Sequence, residues 1–191
     1  MKRIVITDRD KQVIQFLKDF KCAKTSTISD MYFNSSSRPT QRRLLHLSEH
    51  GYIKSYQENI LSEKIHYINK KPTQLKHSLI LSSFIAELKK LDIEIIKYKV
   101  PFKISNVIAD CFIAFRYNSK NYIFFVEVEN TKQFNIQKYE ELYFSRKYKD
   151  KFPIMPPIIV VSDKNIKKSA QFKVIDIKTN FSNVKKIIDE L

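Results

Sequence analysis

The chain has 191 residues, 43% hydrophobic and 13% aromatic, which is enough apolar mass for one or two packed cores and excludes disorder by composition. Its formal charge of +15 points to a polyanionic partner, yet 14 basic against 7 acidic residues over 1–74 and 21 against 13 over 75–191 leave both halves basic. Charge alone therefore does not assign the contact, and a composition rich in Ile, Lys, Asn, Tyr and Phe, as an AT-rich genome encodes, feeds the lysine excess. Cys22 and Cys111 stand far apart with no partner at ligand spacing, which argues against structural zinc and a disulfide framework. No apolar run reaches about 18 residues, and the chain arrives at Asp8, Arg9 and Asp10 without an apolar leader. A soluble cytoplasmic protein is expected.

Thr7, followed by Asp8 and Asp10, has the pattern of a helix start: a hydroxyl cap, then acids where the helix dipole favours negative charge. Val13, Ile14, Phe16, Leu17 and Phe20 supply an apolar face, so the pattern predicts a helix over 8–20. Residues 25–31 predict a short second helix with Ile28 and Met31 inward, and 34–39 form a polar turn. A third helix follows from about Arg38, with Leu44, Leu45 and Leu47 apolar and Arg42, Arg43, His46 and Glu49 left for other faces. It is expected to stop at His50 or at Gly51, the only glycine of the chain, where a helix end favours a left-handed backbone. Strand-like residues over 52–56 and 64–68 flank a polar gap and predict a two-stranded hairpin. Lys70-Lys71-Pro72 then interrupts both periodicities and sets a boundary between domains 1–72 and 73–191.

A helix, a short helix, a turn, an Arg-bearing helix ending in glycine and a hairpin is the order of parts in a winged helix-turn-helix, a DNA-reading module. Residues near the N-terminus of its third helix reach DNA, which here means Ser36, Ser37, Arg38, Thr40, Gln41, Arg42 and Arg43. Arginine pairs with guanine, glutamine with adenine, and serine and threonine suit phosphate oxygens, so Gln41 and Arg42 are the predicted base readers. Lys54 and Lys64 flank the wing, where they would lie against the DNA backbone. The alternatives are a solvated helix face or a winged helix that binds protein. Binding as a homodimer on repeated half-sites is expected.

In the second half, 74–91 predicts a helix, 93–102, 107–117 and 122–129 predict strands, and 136–149 a helix. Residues 157–162 then predict a buried strand, 165–171 a helix, 172–177 a strand and 182–191 a terminal helix. The late strands of such an order pair in parallel, and the overall class expected is α+β with a small α/β second domain. The strand period of two puts Glu127 and Glu129 on one face, and a neighbouring strand carrying Asp110 would bring three carboxylates together. Oxygen ligands of this kind suit Mg²⁺ or Mn²⁺, which would position water against a phosphodiester. Asp110 and Glu127 are the expected metal ligands, and Asp110, Glu127, Glu129 and Lys138 the candidate catalytic groups. Tyr139 and Tyr143 read as amphipathic core residues of their helix.

This acidic pattern resembles in part the PD-(D/E)XK nuclease fold. Glu129 stands where that fold has its lysine, and Ala109 where it has proline. The resemblance implies that Lys138, on the following helix, substitutes for the displaced lysine, or else that the acids are a structural remnant in an inactive nuclease-like domain. A wider likeness joins the winged helix, Lys76-His77-Ser78-Leu79, Ala109-Asp110, the stretch Phe125-Val126-Glu127-Val128-Glu129-Asn130-Thr131 and Lys138-Tyr139. In these short motifs, from about residue 7 to Val161, the chain resembles the replication-relaxation protein family of plasmids and integrative elements. That resemblance implies a sequence-specific double-stranded DNA-binding protein serving replication, DNA relaxation, conjugative transfer or transcription regulation, with other replication or transfer proteins as partners. The alternative is a metal-dependent nuclease or nickase targeted by the winged helix.

Overall fold

Thr7 closes a capping box at the start of helix α1 (Asp8–Phe20): its hydroxyl accepts from the Asp10 amide at 3.3 Å, while Asp10 Oδ2 accepts from the Thr7 amide at 2.7 Å. These contacts come from a computed structural model that describes residues 4–130 and 133–191, a mixed α and β chain divided into two units at Lys90 and Leu91. Thr131 lies outside the described residues. None of the described helices is long and apolar enough to cross a membrane.

In the first unit, α1 leads through β1 (Cys22–Lys24) into α2 (Thr25–Tyr32) and α3 (Ser37–Glu49). Gly51, at φ 76°, ends α3: its amide donates to the Ser48 carbonyl at 3.0 Å, and the Tyr52 amide donates to Leu47 at 2.9 Å. This is the paired 5→2 and 6→1 closure, which gives the Ser48 and Leu47 carbonyls their donors and needs a left-handed residue. A Cβ at Gly51 would meet nothing within 4 Å, so backbone strain of about 1 kcal/mol, not crowding, reserves the position for glycine.

Beyond the turn, β2 (Lys54–Tyr56) and β3 (Ile65–Tyr67) form the expected antiparallel hairpin, with Ser55 opposite His66. An unexpected third strand joins them, since β1 pairs antiparallel with β3 and gives the order β1-β3-β2. Helix α4 (Leu75–Lys90) packs on α1, β1 and α2. This corrects the boundary at 72: the helix belongs with the first unit, because buried Leu81, Phe84, Ile85 and Leu88 complete a core with Phe16, Leu17, Phe20 and Ile28.

The second unit holds β4 (Glu94–Lys99), β5 (Phe102–Ile104), β6 (Val107–Ala109), β7 (Cys111–Tyr117), β8 (Lys120–Val128), α5 (Gln137–Phe144), β9 (Ile158–Val161), β10 (Val174–Ile177) and α6 (Lys186–Asp189). Its five-stranded sheet has the order β10-β9-β8-β7-β4, antiparallel through β4, β7 and β8 and parallel from β8 to β10, as expected for the late strands. Two long predicted strands are each divided. The first ends before Pro101 and the second breaks at Asp110, so that β5 and β6 pair as a separate hairpin. The predicted helix over 136–149 stops at Phe144, because Arg146 takes a left-handed backbone (φ 56°) and a 3₁₀ turn, Lys147–Asp150, folds Tyr148 inward. No helix forms over 165–171, where Ile166 is the only large apolar side chain and no face can be buried. The terminal helix shrinks to the four residues of α6.

Candidate functional site

On α3 the buried positions are Thr40, Leu44 and Leu47, so the opposite face, with Ser37, Arg38, Gln41, Arg42 and Leu45, is exposed. Arg38 and Arg42 have no ion-pair partner among the described residues, and Gln41 makes only a local 3.2 Å bond to Ser37 Oγ. Leu45, expected in the core, is 51% exposed. Its signal was present in the spacing, since 38, 41, 42 and 45 fall within one stripe of a helix with 3.6 residues per turn. Ser36 is the exposed residue that precedes the helix and makes no side-chain cap bond.

Two residues expected to reach DNA turn inward instead. Thr40 is fully buried, and its hydroxyl lies 3.1 Å from Ser29 Oγ and 2.6 Å from the Ser36 carbonyl, so it ties α3 to α2. Arg43 Nε donates to Asp10 Oδ1 at 2.8 Å, its Nη2 to Asp10 Oδ2, and Nη2 also to the Val5 carbonyl at 2.6 Å. Burial pushes the Asp10 carboxyl up, but the Arg43 guanidinium with the Thr7 amide and hydroxyl outweighs it and holds the value down at about 2.

The hairpin supplies the other wall of a groove of about 730 Å³, with Arg38, Gln41 and Arg42 on one side and Gln57, Lys64 and His66 on the other. Lys64 and Lys54 are both exposed, and Lys54 Nζ donates to the Asn69 carbonyl at 2.8 Å. Burial, aided by the Lys64 charge, pushes His66 down to about 4, so it is uncharged at neutral pH, with Nε2 2.9 Å from Thr25 Oγ1.

In the second unit the break between β6 and β7 turns Asp110 toward β8, where its Oδ2 accepts from the Val128 amide at 2.8 Å. Glu127 receives Lys138 Nζ from α5 at 2.7 Å and the Tyr139 hydroxyl. Burial raises the Glu127 pKa and the nearby Asp110 charge adds to this, while Lys138 and Tyr139 oppose it. Tyr139 is raised well above its ordinary value, first by burial and then by Glu127, and so remains a donor. Asp110, Glu127 and Lys138 therefore come together, and Tyr139, read as core, is both core and a polar partner.

Glu129 does not join them. The β8 ladder ends at Val128, and the buried Glu129 carboxylate accepts from Ser162 Oγ at 2.6 Å and Lys164 Nζ at 3.3 Å, which fastens the exit of β9. Among the described residues no group of three or more His, Cys, Asp and Glu side chains is disposed to hold a metal ion. Asp110 and Glu127, the latter raised by burial and by the Asp110 charge, are the pair of carboxylates that would fit the sparser donor set of Mg²⁺, one or two carboxylates completed by water and phosphate. A cation there would supply electrostatic stabilisation of a phosphodiester.

Asp10 titrates below its ordinary 3.8, so its contribution is complete above pH 4 and is lost as pH falls towards 2, about 2 kcal/mol in all. Arg43→Ala is expected to cost about 3 kcal/mol at neutral pH by leaving Asp10 buried without its cation. That deficit should shrink as pH falls towards 2, and urea unfolding across pH 2–7 measures it. A variant as stable as wild type would return Arg43 to solvent as a free contact. No family model matches this sequence, and no curated protein matches it significantly.

Proposed function

We propose that the first unit is a winged helix-turn-helix that binds double-stranded DNA sequence-specifically, with α3 in the major groove. The observation that carries this reading is the exposed stripe of Arg38, Gln41, Arg42 and Leu45, two arginines with no acidic partner among the described residues, beside an amide and an aliphatic side chain. Arginine and glutamine pair bidentately with guanine and adenine, and leucine suits the thymine methyl group. The turn between α2 and α3 and the hairpin carrying Lys54 and Lys64 support the same reading, as does the groove between them. Such a protein would act as a homodimer for a plasmid or mobile element, in replication, relaxation, transfer or their regulation, alongside the other proteins of those processes. Gel-shift titrations over a salt series test it. Wild type should bind duplex DNA with a steep dependence on salt, and Lys64→Ala should lower that slope by about 1 while weakening all duplexes alike. Absence of a salt-sensitive complex would contradict the proposal.

The second unit supports a second reading, a nuclease-like domain of the PD-(D/E)XK kind. Its support is the 2.7 Å contact of Lys138 with Glu127 beside Asp110, with the lysine on the helix after the acidic strand. If that unit cleaves DNA, purified protein with Mn²⁺ nicks supercoiled plasmid, and Lys138→Ala or Asp110→Ala abolishes nicking while the gel-shift complex is kept. No nicking with Mg²⁺ or Mn²⁺ would reduce the cluster to a structural remnant.

A further inference from the structure

The tip of the β2–β3 hairpin carries Ile60 and Leu61 at 95% and 97% exposure, the two most exposed large apolar residues described. Their presentation is built. Asn59 Oδ1 accepts from the Leu61 and Ser62 amides at 3.0 and 2.8 Å, and Ser62 Oγ bonds both the amide and the carbonyl of Asn59 at 3.0 and 2.8 Å. Gln57 Nε2 donates to the Ile60 and Ser62 carbonyls at 3.1 and 2.8 Å. The Gln57, Asn59 and Ser62 side chains are thus spent on bonds within the turn, and the two aliphatic side chains are left exposed at its tip. The base of the loop is anchored as well. The Thr25 amide donates to the Lys64 carbonyl at 3.1 Å, and Glu63 accepts from the amide and hydroxyl of Ser26 at the start of α2.

We propose that Ile60 and Leu61 form a wedge that enters the DNA minor groove and parts one base step, next to the major-groove contact of α3. This rests on the DNA-binding reading of the first unit. Gln57 and Ser62, which shape the tip, also line the groove that holds Arg38, Gln41 and Arg42, so the pair extends the same surface. Two side chains are far fewer than the roughly 20–30 residues per side of a stable protein interface, whereas one or two aliphatic residues are the size of the wedges that unstack a base step. Glu58 beside them is exposed and repels phosphate, so apolar contact and not charge must carry what the tip contributes.

The test uses the full chain and the tightest-binding duplex enriched from a random-sequence pool, with 2-aminopurine scanned through the steps flanking the bound site. Wild type should raise the fluorescence at one step and bend the duplex in an end-to-end energy-transfer assay. The double variant Ile60→Ser, Leu61→Ser should lose both signals and bind on the order of tenfold more weakly, with an unchanged salt slope, because no phosphate contact is removed. Its thermal melt, compared with wild type, shows that the fold is kept. A wild-type complex that forms without unstacking or bending overturns the wedge and leaves DNA binding intact, as does a double variant with wild-type signals. A double variant that instead turns a sedimenting dimer into a monomer assigns the tip to a second copy and also overturns it. No complex of wild type with any duplex removes the underlying reading itself.

Discussion

The buried carboxylate of Asp10 closes the cap of α1 through Thr7 and receives the Arg43 guanidinium from 33 residues further along the chain. A carboxylate in that position is stable only while its partners are in place, so it fixes the rotation of α3 about its own axis. With Arg43 and Thr40 held inward beside Leu44 and Leu47, the 3.6-residue period leaves Arg38, Gln41, Arg42 and Leu45 outward. The Schellman closure at Gly51 fixes where the chain leaves that helix, and the β1-β3-β2 sheet holds the hairpin that follows. One ion pair and one left-handed residue thereby decide which cations of α3 meet solvent and what stands beside them.

The second unit shows the same economy with acids. Three carboxylates occur within 20 residues of sequence, in or at the ends of apolar strands, and each is placed by its own donor: Asp110 by the Val128 amide, Glu127 by Lys138 and Tyr139, Glu129 by Ser162 and Lys164. Asp110 and Glu127 remain close enough to repel, which with burial keeps the Glu127 pKa raised. Phe125 and Tyr139, 5.9 Å apart, provide part of the apolar wall that makes this repulsion expensive. Glu129 is satisfied by groups at the end of β9 and adds nothing to the pair.

Local signals were legible in the sequence and long-range ones were not. Thr7 and Asp10 marked the start of α1, and Gly51 the end of α3, because caps and left-handed turns are set by residues a few positions apart. The exposed face of α3 could be read in part: Arg38, Gln41 and Arg42 are where the pattern put them. Arg43, expected at DNA, turns inward because its partner lies on another helix, and Leu45, grouped with the adjacent leucines, lies on a polar stripe and is exposed. Strand β1 is three residues long and shows no alternation, so only its pairing with β3 defines it. Asp110 gave no hint that it breaks a strand, because the break depends on a bond to the Val128 amide. The contact of Lys138 with Glu127 joins α5 to β8, and no spacing in the sequence encodes it.

The central claim is that the outward face of α3 reads base pairs. Selection of duplexes from a random-sequence pool by the full chain tests it most directly, when repeated with Gln41→Ala and Arg42→Ala. The account predicts one enriched motif for wild type, and for each variant a loss of preference at one or two adjacent positions with the remainder retained. Failure of wild type to enrich any motif, or the same motif from all three proteins, would contradict it.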